Sequence, residues 1–215
     1  MTVAVRVHQL RREIPAAQER AEAAVTVSTE QGFAFYIAYG TILRGWALVK
    51  QGQGEEGITQ MRQGLASFRA TGSELQRPYL LALLAEACGK VRQTEEGLTA
   101  LAEALEVVNK TEERFYEAEL YRLKGTLTLQ SQVSSPKSQV EKEAEECFWK
   151  AIEIARRQSA KSLELRAVTS LSQLWKEQGK KAEACQILAE IYGWFTEGFD
   201  TADLKEAKAL LDELS

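Results

Sequence analysis

Proline is scarce in this 215-residue chain; Pro15, Pro78 and Pro136 are the only ones. Long stretches therefore run without the residue that most strongly interrupts helix. Histidine occurs once, as His8, so any histidine-based triad or zinc site would have to recruit the start of the chain. The three cysteines, Cys88, Cys147 and Cys185, are odd in number, widely spaced and form no CxxC or CxxxC pair. That excludes a disulfide framework and leaves them as reduced, small apolar residues, with Cys88 at a packing position. No apolar run approaches the roughly 20 residues a membrane helix requires. Met1 to Gln9 lacks a secretory hydrophobic core, which points to the cytoplasm. The net charge of -4 lacks the basic excess of a nucleic-acid binder. No GxxxxGK[ST] phosphate loop occurs, so no nucleotide cofactor is implied. What is abundant is helix-forming: 45% of residues are hydrophobic, 27% are charged, and Ala, Leu, Glu, Lys, Arg and Gln dominate.

The chain repeats itself. Ala17, Gly57, Gly97, Ala144 and Ala184 are small residues that open successive second helices, at intervals of 40, 40, 47 and 40. Four residues on stand Ala21, Met61, Leu101, Phe148 and Leu188; three more give Ala24, Gly64, Ala104, Ala151 and Ile191. Small, bulky and mostly small at i, i+4 and i+7 describes a helix face pressed against a neighbour. The preceding helices carry Gly45, Ala85, Gly125 and Ser172 at a tight crossing, followed by Leu48, Cys88, Thr128 and Trp175. Gly52 and Gly179 sit where a helix ends in a left-handed residue. The extra seven residues of the long interval fall in the polar stretch around Ser131 to Ser138, an insertion in a loop.

Helices are predicted over 1–12, 15–31, 33–51, 55–70, 74–92, 95–110, 112–130, 140–158, 161–178, 181–195 and from Thr201, as cap, to Leu214. The organisation is a first, partial repeat over 1–31 and further repeats over 32–73, 74–111, 112–159 (with the inserted loop 131–139) and 160–196. A capping helix covers 197–215, and the whole is one solenoid domain.

Gly45, Leu48, Gly52, Gly57, Met61 and Gly64, and more closely Leu171, Ser172, Trp175, Gly179, Ala184 and Leu188, resemble the tetratricopeptide (TPR) pattern. The usual TPR period is about 34 residues, so these helix pairs are longer. The stretches TILRGWALVKQGQGEEG, ERFYEAELYRLKG and YGWFTEGFDTADLKEAKALLDEL resemble the C-terminal repeat arrays of large bacterial signalling ATPases and adenylate or guanylate cyclases. The resemblance implies an all-α, right-handed solenoid of helix-turn-helix repeats. It also implies a non-catalytic interaction or regulatory module that takes a protein or peptide, or other domains of a parent chain, and binds neither nucleic acid nor membrane.

Other motifs resolve into helix architecture. GQGEEG at Gly52 to Gly57 satisfies GxGxxG, but it follows a helix and not the strand a dinucleotide site needs. The pairs Glu55-Glu56, Glu95-Glu96, Glu112-Glu113 and Glu145-Glu146 suit the first turns of helices, where negative charge meets the helix dipole. Asn109 begins a glycosylation triplet with no sign of secretion, and Ser135-Pro136 reads as plain loop. No catalytic, metal or cofactor residue is assigned.

On the family's concave positions, the repeat register places Tyr39, Tyr79, Glu119 and Arg166 in one row. Ile42, Ala82, Arg122 and Thr169 form the next, then Trp46, Glu86, Thr126 and Gln173, with Lys50 and Lys90 a turn on. The candidate groove is therefore Tyr39, Ile42, Trp46, Lys50, Tyr79, Glu86, Lys90, Glu119, Arg122, Arg166 and Gln173. Tyr39, Trp46 and Tyr79 could equally fill inter-repeat packing. A self-assembling scaffold, or homo-oligomer, is the alternative function; an enzyme hidden in the groove is a third.

Overall fold

In a computed structural model of the chain, residues 2–131 and 136–215 are described, and they contain helices and turns with no strand among them. The helices are α1 (Thr2–Leu10), α2 (Ile14–Glu30), α3 (Ala34–Lys50), α4 (Gly54–Ala70), α5 (Arg77–Lys90) and α6 (Thr94–Thr111). They continue with α7 (Glu117–Gln130), α8 (Lys137–Arg157), α9 (Lys161–Glu177), α10 (Lys181–Tyr192) and α11 (Ala202–Leu214). The chain divides into two compact units, Met1–Glu113 and Arg114–Ser215. In the first, α1–α2, α3–α4 and α5–α6 pack as pairs; α3 also rests on α1 and α2, and α5 on α3 and α4. In the second, α7–α8 and α9–α10 pair, α9 rests on α7 and α8, and α11 rests on α9 and α10. Thus α11 meets α9 and α10 as α9 meets α7 and α8.

The repeat is written into the turns. Arg12, Gly52, Arg92 and Gly179 have positive φ between the helices of a pair, and Gly32, Gly72, Glu112 and Ser159 have it after the second helix. The residue after the left-handed one commonly donates its N–H to the carbonyl five back. Gln53 bonds Leu48 (2.9 Å), Gln93 bonds Cys88 (2.9 Å) and Lys180 bonds Trp175 (2.8 Å). These are Schellman closures, which satisfy carbonyls left open at a helix end. Glycine holds the left-handed position at no steric cost; Arg12, Arg92, Glu112 and Ser159 hold it against their own preference.

Small residues let the paired helices touch backbone to backbone. A Cβ on Gly45 would lie 2.6 Å from the Gly57 carbonyl oxygen, and one on Gly57 would lie 2.5 Å from that of Gly45. The same crossing in α9–α10 uses Ser172, whose hydroxyl donates to the Ala184 carbonyl at 3.2 Å. Ala21, Met61, Leu101, Phe148 and Leu188 are buried, as their register requires.

Several boundaries differ from the sequence expectation. Helix α5 starts at Arg77 and not at 74, because Pro78 belongs in a first turn, where its missing N–H costs nothing. Helix α7 starts at Glu117; Glu112 closes α6 in the left-handed region, so Glu112-Glu113 lies in a connection and not in a first turn. Helix α8 starts at Lys137, so 137–139 form its first turn and Glu145-Glu146 lies well inside it. Positions 132–135 of the inserted loop, Ser135 included, lie outside the described residues. Helix α10 stops at Tyr192, just before the poor helix former Gly193. Thr201 stands at the start of α11, but its hydroxyl donates to the Gly198 carbonyl (2.7 Å) and makes no cap bond.

Candidate partner-binding cleft

The row of first-helix residues behaves differently in the two units. In the first, Tyr39, Ile42, Trp46 and Tyr79 are 2%, 0%, 1% and 0% exposed, so they present no surface to a ligand. Contrary to the sequence expectation, these four are packing residues and not groove residues. Ile42 is turned onto its own partner helix, where its Cγ1 would lie 2.6 Å from a Cβ on Gly64. Tyr39 stacks on Tyr79 at 6.5 Å between ring centroids. The Tyr79 hydroxyl donates to Gln9 Oε1 at 2.8 Å, which satisfies a buried polar group of α1. Burial pushes the Tyr39 hydroxyl up to about 12.

Around them the polar candidates of that unit are drawn into the same contacts. Glu86 accepts from Trp46 Nε1 (2.7 Å) and from Lys50 Nζ (2.7 Å), and Lys50 lies over the Trp46 ring at 5.7 Å. Trp46 is thus roofed by an ion pair, with its one polar atom bonded. Lys90 is exposed.

In the second unit, equivalent positions hold Arg122, Thr126, Thr169 and Gln173, and they line an open cleft of about 650 Å³. Its walls come from α7, α9 and α11, with Phe148 reaching in from α8. Leu129, Phe148, Leu174, Ala209 and Leu210 supply apolar lining; Gln130, Ser170, Glu177, Glu206 and Glu213 complete the polar part. The helix register explains the opening. Where the first unit places Ile42, Ala82, Trp46 and Glu86, with Glu86 bonded to Trp46 and Lys50, the second places Arg122, Thr126, Thr169 and Gln173, which cannot close over a dry core.

One end of the cleft is anchored by an ionic cluster. Glu119, 3% exposed, accepts from Arg122 Nη2 (2.7 Å) and Nε (3.0 Å) and lies 3.8 Å from Arg166 Nη1. Arg166 Nε donates to Asp203 Oδ2 of α11 at 2.7 Å. Burial opposes the charge on Arg166, but Glu119 and Asp203 outweigh it and hold its acidity still weaker than usual. Of the candidates in this unit, Glu119 and Arg166 therefore fix the walls, while Arg122 and Gln173 face the cleft.

Sequence reasoning missed the contribution of α11, which supplies Glu206, Ala209, Leu210 and Glu213. Its amphipathic pattern was legible, but not that it stands where the first helix of a further repeat would. The remaining motifs are structural. Gly52 is a left-handed turn residue, Gly54 opens α4 and Gly57 lies at the helix crossing. His8 Nδ1 bonds Glu13 at 2.6 Å. Burial pushes the Cys88 thiol up to about 12, which keeps it protonated and unreactive. Among the described residues no cluster of His, Cys, Asp or Glu could hold a metal ion, and no helix is long and apolar enough to cross a membrane.

The chain has a TPR-like helical-repeat fold, and solved structures agree. No protein-family profile matches the chain, nor does any curated protein. A Podosopora anserina structure of nearly identical TPR-like repeats, ascribed to a kinesin light chain, superposes with a TM-score of 0.57. At 15% identity it covers 99% of this chain and 93% of its own. A single-substitution variant of the same repeats gives 0.59 at 16% identity, over 89% and 91% of the two chains. Yeast Tom70 gives 0.60 at 14% identity, over 98% of this chain and 38% of its own. At such identities the likeness establishes a shared fold.

Proposed function

We propose that this chain is a non-catalytic protein-interaction module that presents the α7–α9–α11 cleft to an extended segment of a partner. The observation that carries this reading is the contrast between the two units. The register that buried Trp46 closes in the first, under Glu86 and Lys50, is left open, polar-rimmed and apolar-floored in the second. A cleft of that size with scattered hydrogen-bonding groups suits a few residues of peptide. The sequence resemblance supports placing it as a C-terminal docking or sensing array of a larger bacterial signalling ATPase or nucleotide cyclase. Binding there acts by favouring one of two arrangements of the parent, since equal affinity for both shifts nothing.

The test is affinity capture from lysate of the source organism with the immobilised chain and, in parallel, an Ala209→Arg variant. Ala209 is exposed on α11 and lines the cleft, so the arginine obstructs it without touching the core. A protein captured by the parent chain, lost with the variant, and binding the purified chain directly supports the module. An ATPase or cyclase domain behaving this way supports the docking role. Capture unaffected by the variant removes the cleft from the function.

A further inference from the structure

We propose that the α7–α9–α11 cleft selects a cationic segment, one in which lysine or arginine alternates with bulky apolar residues. This rests on the reading of the cleft as a partner site and adds the chemistry of the partner. Three carboxylates, Glu177, Glu206 and Glu213, line the cleft against one guanidinium, Arg122. Arg122 is held by both oxygens of buried Glu119, so its charge is matched within the wall. Lys176 pairs with Glu213 from outside the cleft. Glu177 accepts a long bond, 3.5 Å, from the neutral amide of Gln173. With Glu119, Asp203, Arg166 and Lys176 counted beside the lining, five carboxylates stand against three cations, so the excess charge is negative.

The accessible apolar surface of the cleft belongs to Leu129, Ala209 and the edge of Leu210, with buried Phe148 and Leu174 backing it from the core. An apolar floor under an acidic rim matches side chains that alternate along an extended chain. Apolar ones point to the floor, and the aliphatic stems of Lys or Arg lie along the wall with their charged heads at the carboxylates. An acidic segment would face like charge on entry and lose hydration at the floor with nothing in return. The charge complementarity also predicts fast, salt-sensitive association.

The deciding experiment is selection of a displayed library of random dodecapeptides on the full-length chain, followed by fluorescence anisotropy of the enriched peptides. Enrichment of peptides that alternate Lys or Arg with Leu, Ile or Phe is expected. Ala209→Arg should abolish their binding. The double variant Glu177→Gln, Glu206→Gln should weaken it about fivefold to tenfold, since each solvated ion pair contributes up to about 1 kcal/mol. The parent affinity should fall with added salt. Circular dichroism of each variant confirms the fold. Enriched peptides that are acidic or uncharged, yet still lost with Ala209→Arg, overturn the charge inference while leaving the partner site standing. The charge inference also fails if cationic peptides bind the double variant as well as the parent chain. Enrichment of nothing, or of peptides indifferent to Ala209→Arg, overturns both.

Discussion

Replacing Gly45 by alanine tests the close crossing of α3 and α4. In an exposed helix this change stabilises by about 1 kcal/mol, because alanine is the better helix former. Here the new methyl carbon would lie 2.6 Å from the Gly57 carbonyl oxygen, 2.7 Å from Met61 Cγ and 3.1 Å from the Met61 nitrogen. Two of those atoms are backbone of α4, so relief requires the helices to separate and not a side chain to rotate. Overpacking of this kind costs about 1–3 kcal/mol, and rigid backbone on both sides places it at or above the upper end. The net effect is a loss of about 2 kcal/mol, or about 4–8 °C in Tm for a chain of this length. Gly54→Ala is the internal comparison: its Cβ meets only the side chain of Val91, chiefly Cγ1 at 2.5 Å, which can turn away. That variant should stay within about 1 kcal/mol of the parent. Thermal and urea denaturation followed by circular dichroism at the helix band measure both. A Gly45→Ala protein as stable as the parent, or more so, would refute the backbone-to-backbone crossing.

Arg92→Gly should stabilise by about 0.5–1 kcal/mol in the same assays, because Arg92 holds φ at 62° in a turn where Gly52 and Gly179 stand at the equivalent positions. Tyr79→Phe removes the donor to buried Gln9 and should cost about 1–2 kcal/mol. Faster amide exchange in α1 should accompany that loss, whereas unchanged exchange there would show that α1 does not depend on the bond. Asp203→Ala should leave Arg166 with one carboxylate fewer and loosen α11, seen as faster exchange over 202–214 at a cost of about 3 kcal/mol. Glu164, at the first turn of α9, is buried, which raises its pKa; Lys161 and Arg156 outweigh that and hold it below its ordinary 4.5. A lowered folded pKa gives stability that is present above the unfolded pKa and is lost as pH falls through the folded one. Glu164→Gln should therefore be destabilising at pH 7, with the difference from the parent fading as the pH drops below the usual carboxylate range.

The repeat, the helix pairs and the turn positions were legible in the sequence because they depend on local chemistry. Glycine at Gly52 and Gly179 marks a left-handed helix end, and small residues such as Gly45, Gly57 and Ser172 recur at fixed spacing because only they allow a close crossing. The comparisons add the same fold from proteins too distant to share much sequence. Helix starts were less legible where a connection carries helix formers, as at Glu112-Glu113 and Lys137. Residue type also left open whether a groove-register aromatic faces solvent or packing. Tyr39, Trp46 and Tyr79 have both the apolar area to be core and the polar tips to be binding residues. Partners distant in sequence settled it: Gln9 for Tyr79, and Glu86 for Trp46. The cleft was legible only in part, through Arg122 and Gln173. Its acidic rim depends on Glu206 and Glu213 of α11, which come beside α9 by packing of apolar faces and not by any spacing along the chain. Period and turn chemistry are short-range properties that the sequence determines by itself; which side chains share a cleft is long-range, and only the tertiary packing decides it.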